Sequence, residues 1–118
     1  MLAAQILIVL VVLLHLYFMY FEMFAWTTTG KRIFHKYPPE FFTQSKTLAA
    51  NQGLYNGFLA AGLIWTFFIH DITWQSNVRL FFLICVTVAG IYGAMTADRK
   101  IFFVQALPAM LGILLLIL

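Results

Sequence analysis

Residues 2–26 read LAAQILIVLVVLLHLYFMYFEMFAW, an apolar run that nevertheless contains the two ionisable side chains His15 and Glu22. At 1.5 Å per residue, this run is long enough to cross the hydrocarbon core of a bilayer as a helix. A charged acid within a bilayer costs about 2.5–3.5 kcal/mol on insertion scales, so such residues usually have partners and a role. Glu22 is therefore the first candidate for a functional residue.

The composition is typical of a membrane protein. Of the 118 residues, 64% are hydrophobic and 9% are charged, whereas soluble domains carry roughly 25% charged residues. The apolar segments predict an all-α membrane fold, a four-transmembrane-helix bundle that forms a single domain over residues 1–118. We expect the spans at about residues 2–26, 47–69, 78–97 and 101–118. The first run lacks the basic start and the cleavage site of a secretory signal, so it is expected to be retained.

Basic residues are distributed unevenly between the two sides of the membrane that four spans define. Residues 27–46 and 98–100 fall on one side, and both termini and residues 70–77 fall on the other. Arg79 is the only basic residue on the side of the termini. The other six are Lys31, Arg32, Lys36, Lys46, Arg99 and Lys100. The positive-inside rule then predicts external termini, a long first cytosolic loop and a multi-pass protein of the plasma (cytoplasmic) membrane.

The net charge of +3 is interpreted as contact with anionic membrane lipids and not as nucleic-acid binding. In the first cytosolic loop, Phe41 and Phe42 are expected to dip into the membrane interface, and Ser45 is a candidate cap for the second span.

Polar side chains from three predicted spans reach a similar depth below the cytosolic surface. Glu22 and Gln105 both lie four residues inside the cytosolic ends of their spans, which places them roughly 6–8 Å deep. The outer half of the spans has few polar residues. We expect a polar pocket, open to the cytosol, with His15 at its floor. The predicted lining residues are Glu22, His15, Asn51, Gln52, Tyr55, Asn56 and Gln105.

Small residues form a separate stripe on the second predicted span. Gly53, Gly57 and Ala61 recur every four residues, a spacing that lets another helix approach closely. The third span has a stripe of its own that includes Gly93, so we expect it to be the neighbour. This pattern favours a helix at the centre of the bundle or at a seam of a homo-oligomer, either a dimer or a trimer.

A structural interpretation of the polar residues remains open. Amide, phenol and imidazole groups in membranes often join helices, with about 0.6 kcal/mol per hydrogen bond. Taken singly, Asn56 and Gln105 fit that interpretation better than ligand contact. The cluster as a whole, which includes an acid, indicates a site. For Glu22 the alternative is an ion pair with Arg99 at the membrane edge.

The pattern predicts neither a metal site nor a cofactor. His15 is expected to be a packed histidine, because His35 and His70 fall outside the membrane on opposite sides. No CxxC or HExxH motif occurs. Cys85 is the only cysteine, which excludes an intrachain disulfide and favours a packing role.

Two strings carry a resemblance to a known family. LLHLYFMYFEMFAW at residues 13–26 and LAANQGLYNGFLAAGL at residues 48–63 resemble the two signature blocks of the DUF1304 family, small four-span membrane proteins of unknown function. The resemblance covers nearly the whole chain and implies architecture and membership but no activity. The matching motif residues are His15, Glu22, Trp26, Asn51, Gln52, Gly53, Tyr55, Asn56 and Gly57.

Two other families share parts of the architecture. The MAPEG family is similar in having four spans, a long first cytosolic loop and an Asn-containing second helix, and its members are trimers. This chain has Tyr55 and Asn56 where that family has an acid, so glutathione chemistry is not implied. The small multidrug resistance transporters are similar in size and in their single first-span acid, but their first loop is short.

The leading hypothesis is a homo-oligomer that binds a small amphipathic or lipid-like ligand in the polar pocket. If a reaction occurs, Glu22 and His15 are the candidate acid–base groups, although about 10 Å separates them along the helix. The alternatives are a proton-coupled exporter that uses Glu22, and a structural or partner-binding subunit whose interface is formed by Gly53 and Gly57.

Overall fold

The computed structural model describes all residues, 1–118, and consists of helices without strands. Six α-helices are α1 (Leu2–Phe24), α2 (Thr29–Ile33), α3 (Pro39–Gln44), α4 (Lys46–Thr66), α5 (Ile72–Thr96) and α6 (Leu107–Ile117). A π-helical segment, Phe102–Ala106, precedes α6. The third long helix therefore begins at Ile72, six residues before the span expected from the sequence.

Two of these helices, α1 with 23 residues and α5 with 25, are long and apolar enough to cross a membrane. The apolar helix at Phe102–Ile117 is shorter. Helix α4 is 21 residues long, but the polar side chains in its first half lower its hydropathy.

The chain divides into two compact units, which are described separately. The loop unit contains residues 15–58, and the terminal unit contains residues 1–14 and 59–118. Helices α1 and α4 each contribute residues to both units.

In the loop unit, the segment between α1 and α4 folds into two short helices. The chain leaves α2 after Ile33, before the sequence Tyr37-Pro38-Pro39. Helix α3 then begins at Pro39, a position where proline is favourable because its missing N–H would have no helical partner.

An aromatic core holds this segment together. The rings of Trp26 and Phe42 lie 5.3 Å apart, and the side chain of Phe42 is fully buried. The Phe21 ring packs edge-on against Trp26, with 5.8 Å between the ring centres, and edge-on against Phe34 at 6.0 Å. The expectation that Phe42 dips into the membrane interface is therefore wrong, because its ring is enclosed by the loop itself.

A hydrogen bond fixes the end of α3 to this core. The indole N–H of Trp26 donates to the Ser45 hydroxyl at 2.9 Å, and that hydroxyl donates to the Phe41 carbonyl at 2.6 Å. The Ser45 side chain therefore connects α3 to Trp26, whereas the sequence suggested that it caps the second span.

In the terminal unit, α5 packs antiparallel to the π-helical segment and α6. Ile101 lies against Gly93, Ala106 against Gly90, and Leu83 against Gly112. These pairs run in opposite directions along the two segments, as expected for an antiparallel arrangement. Small side chains at the contacts let the two backbones approach closely.

The π-helical segment has a local cause in the sequence. Pro108 has no N–H, and its ring would clash with the carbonyl of residue 104 in a regular α-helix. The wider turn at Phe102–Ala106 relieves this conflict, as π-bulges do at other helix irregularities. The sequence predicted a uniform apolar span here.

Arg79 is buried in the terminal unit, with 4% of its surface exposed. Its Nε donates to the Thr66 hydroxyl at 3.0 Å, and its guanidinium lies 4.6 Å from the centre of the Phe67 ring. One guanidinium nitrogen, Nη2, has no hydrogen-bond partner. The nearby Gln75 side chain donates to the Thr66 carbonyl at 2.9 Å. These contacts join the end of α4 to the start of α5.

Replacing Arg79 with methionine is expected to leave the protein as stable as the wild type or to stabilise it by about 1–3 kcal/mol. The change removes a buried guanidinium with an unsatisfied donor, and the Thr66 hydroxyl keeps its bond to the Leu63 carbonyl. Reversible unfolding in detergent measures the difference. Arg99→Met, at an exposed position, is the control. Destabilisation by Arg79→Met alone would show that the cation has a partner essential to the fold.

Candidate functional site

The loop unit brings the carboxylate of Glu22 on α1 against two amide side chains of α4. Gln52 Nε2 donates to Glu22 Oε2 at 2.7 Å, and Asn56 Nδ2 donates to Glu22 Oε1 at 2.5 Å. Gln52 and Asn56 are four residues apart and share one face of the helix. Each carboxylate oxygen therefore has its own amide donor. We call these three residues the amide clamp.

Two glycines on α4 allow α1 to come this close. A Cβ atom at Gly53 would lie 2.8 Å from Met23 Cγ and 3.0 Å from Glu22 Cβ. One at Gly57 would lie 2.7 Å from the sulfur of Met19. The two glycines of the small-residue stripe thus pack on α1, whereas the sequence suggested the third span. Methionine suits this contact because its flexible side chain fills the shallow space beside a glycine.

Two other predicted lining residues lie next to the amide clamp but outside it. Asn51 is exposed, and Tyr55 is 56% exposed with its ring 5.9 Å from that of Phe58. Neither side chain forms a hydrogen bond in the structure. Asn51 borders a surface groove of about 450 Å³ whose other lining residues are Met23, Thr47, Leu48, Ala50 and Leu54.

The remaining two predicted residues lie on α1 and in the segment that precedes α6. His15 is 1% exposed and packs edge-on against Phe18, with 5.2 Å between the ring centres. Gln105 is half-buried in the π-helical segment of the terminal unit. Among the predicted residues, hydrogen bonds join Gln52 and Asn56 to Glu22, and Asn51 and Tyr55 continue the same polar arc of α4.

The residues predicted for helix packing also differ in their surroundings. Gly53 is buried and Gly57 half-buried against α1, and Gly93 packs on Ile101. Ala61, in the part of α4 that belongs to the terminal unit, is exposed.

The amide clamp offers hydrogen-bond acceptors and negative charge. A carboxylate oxygen can accept two hydrogen bonds, so each oxygen of Glu22 keeps a free acceptor position after its amide bond. The carbonyl oxygens of Gln52 and Asn56 are acceptors as well. Glu22 is half-buried and Gln52 exposed, so the clamp is open on one side. No group of three or more His, Cys, Asp or Glu residues is arranged to hold a metal ion.

Met23 contributes to this region without having been selected from the sequence. It contacts Gly53 and also borders the groove beside Asn51. Its position directly after Glu22 was the only available signal, since methionine in an apolar helix is otherwise typical of ordinary packing.

Comparison with known proteins agrees with the motifs quoted above. Residues 9–117 match the sequence pattern of the family described as "Protein of unknown function (DUF1304)". A relative from Lactococcus lactis subsp. lactis (strain IL1403), "Uncharacterized protein YpaA", is 35% identical over 111 residues, which are 92% of each chain. No solved structure matches the chain significantly. With both signature strings present and the match extending over nearly all of its length, the chain belongs to the DUF1304 family.

Proposed function

We propose that this protein is a four-span protein of the plasma membrane that binds a small amphipathic or lipid-like molecule at the amide clamp. The observation that supports this proposal most directly is the position of the Glu22 carboxylate. Two neutral amides hold it, and one side of the carboxylate remains accessible. An acid in a membrane-spanning helix marks a functional site by default, and this acid is oriented by specific donors.

A membrane location is supported by the apolar surface of the long helices. Leu13 of α1 and Phe81 and Val88 of α5 are each about 60% exposed. Such extended exposed apolar surface is unfavourable in water and suits contact with lipid tails. The proposed topology has both termini outside and the loop unit's short helices in the cytosol, as the positive-inside rule predicts.

The proposed role of each residue follows from its chemistry. Glu22 supplies charge and can accept a proton, while Gln52 and Asn56 hold the carboxylate in place and can rotate to present carbonyl oxygens. Asn51 and Tyr55 extend the polar surface along α4. In lipid, the unpaired polar groups of these two residues need a partner, which the head of an amphiphile or a second copy of the chain would supply.

Binding and folding can be separated by replacing the amide clamp in two ways. Asn56→Leu leaves the Glu22 carboxylate with one donor and is expected to cost about 1–2 kcal/mol of stability, since Glu22 is half-buried. The triple variant Glu22→Met, Gln52→Leu, Asn56→Leu removes all partners together. It is expected to stay within about 1 kcal/mol of the wild type, because no polar group is left unsatisfied.

Photolabelling in lipid nanodiscs then measures binding. The probes are diazirine analogues of dodecylamine, dodecanol and dodecanoate. We expect at least one of them to label residues 15–58 of the wild type saturably. The triple variant should lose that labelling while remaining folded. The matched control is Glu40→Gln with Gln44→Leu, at two exposed positions of α3. The proposed site would be refuted if saturable labelling were unchanged in the folded triple variant. It would also be refuted if none of the three probes labelled the wild type saturably.

A proton-coupled exporter is the second candidate. It is favoured by the half-exposed position of Glu22, which leaves its carboxylate accessible to proton exchange. Amphiphile flux into proteoliposomes that requires a proton gradient and disappears in Glu22→Gln would favour this alternative over simple binding.

A further inference from the structure

We infer that the ligand of the amide clamp carries a primary ammonium group, so that the protein selects cationic amphiphiles. This inference rests on the proposed function and specifies the headgroup chemistry of the same site.

The charge of Glu22 is the first argument. Both partners that the structure gives its carboxylate are neutral amides, Gln52 and Asn56, and not Lys or Arg side chains. Amide dipoles orient a carboxylate without cancelling its charge. In a membrane, an uncompensated charge is costly, and the carboxylate avoids this cost either by taking up a proton or by pairing with a positively charged ligand head.

The unused hydrogen-bonding capacity is the second argument. Each oxygen of Glu22 accepts one amide N–H and keeps one free acceptor position. The amide carbonyls of Gln52 and Asn56 add further acceptors. A group that satisfies such a site must bring donors, and a primary ammonium brings three donors together with the complementary charge. A carboxylate or phosphate head has only acceptors and would be repelled.

The aromatic surface beside the clamp is the third argument. Tyr55 lies between Gln52 and Asn56 in the sequence, and its ring is 56% exposed next to that of Phe58. An exposed aromatic face attracts ammonium groups, which strengthens binding about two- to fivefold. Leu48, one turn before Gln52 on the same side of α4, is 73% exposed and offers apolar surface to the tail of the ligand.

Equilibrium binding to the protein in nanodiscs tests the inference, with dodecylamine, dodecanol and dodecanoate as probes of equal chain length. Both the alcohol and the ammonium can donate a hydrogen bond to the carboxylate, but only the ammonium adds an opposite charge. That attraction predicts about tenfold tighter binding of dodecylamine than of dodecanol. Dodecanoate should bind more weakly than either. The partition of each probe into protein-free nanodiscs is measured separately and subtracted from the binding to protein-containing nanodiscs.

Variants then assign the preference to the clamp. Glu22→Gln retains the shape of the side chain and should abolish the preference for the amine over the alcohol, whereas Glu22→Asp should retain part of it. Tyr55→Leu should weaken amine binding about threefold, and Tyr92→Leu, at an exposed residue of α5, should not.

The outcomes separate the two proposals. Binding of all three probes with equal affinity at the clamp would overturn the cationic preference and leave the amphiphile site intact. A preference for the amine that persists in Glu22→Gln would also overturn it. The absence of any clamp-dependent binding would refute the proposed function itself.

Discussion

Replacing Phe42 with alanine is expected to lower the free energy of unfolding by about 3–5 kcal/mol. Phe42 is fully buried among Trp26, Phe41 and Tyr37, and its ring also lies 3.1 Å from where a Cβ of Gly30 would stand. Removal of a buried phenylalanine loses its burial energy and leaves a cavity that the neighbouring rings only partly fill. The loop should then become accessible before the long helices unfold.

Chemical unfolding in detergent measures the loss of stability, and limited proteolysis within residues 27–45 measures the opening of the loop. Phe24→Ala is the matched control. It removes the same side chain from a position that is 70% exposed, so its effect should remain within about 0.5 kcal/mol. If both variants lose the same stability, Phe42 does not anchor the loop in the way its burial indicates.

Replacing Gly90 with alanine is expected to cost about 2–3 kcal/mol. The new Cβ would lie 2.5 Å from the backbone nitrogen of Ala106 and 2.8 Å from its Cβ. Because the obstacle is backbone and not the end of a flexible side chain, the π-helical segment must move away from α5. The cost of this overpacking exceeds the gain of about 1 kcal/mol that alanine brings over glycine in a helix.

Gly112→Ala is the control for this prediction. Its new Cβ would lie 3.2 Å from a methyl carbon of Leu83, which can shift by side-chain rotation. We expect a change within about 1 kcal/mol, since the helix-propensity gain offsets the tighter contact. Thermal unfolding of both variants in the same detergent compares them. A Gly90→Ala protein as stable as Gly112→Ala would contradict the close backbone contact between α5 and the segment before α6.

Several features of the fold follow directly from the sequence. The length and apolarity of residues 2–24 and 72–96 are sufficient for helices that can cross a membrane. The start of α3 at Pro39, directly after Pro38, follows from the restrictions that proline imposes. Pro108 could have suggested the irregular turn before α6, but a proline signals a break without specifying how the helix accommodates it.

Burial was less predictable. The four-span topology placed Arg79 on the external side of the membrane, but nothing in the sequence indicated that its side chain is enclosed in the terminal unit. Phe42 was expected at the lipid interface and is a core residue of the loop unit. Hydrophobicity alone does not distinguish a ring packed against other rings from a ring packed against lipid, because both surroundings are apolar.

For the candidate site, the sequence by itself determined that polar residues occupy one arc of α4 and that Glu22 lies near the end of α1. Helical periodicity is sufficient for both conclusions. Only the tertiary structure decided which amides contact the acid. Gly53 and Gly57 admit α1, so Gln52 and Asn56, which border those glycines, reach Glu22. Asn51 and Tyr55 lie about 100° further round the helix and remain exposed.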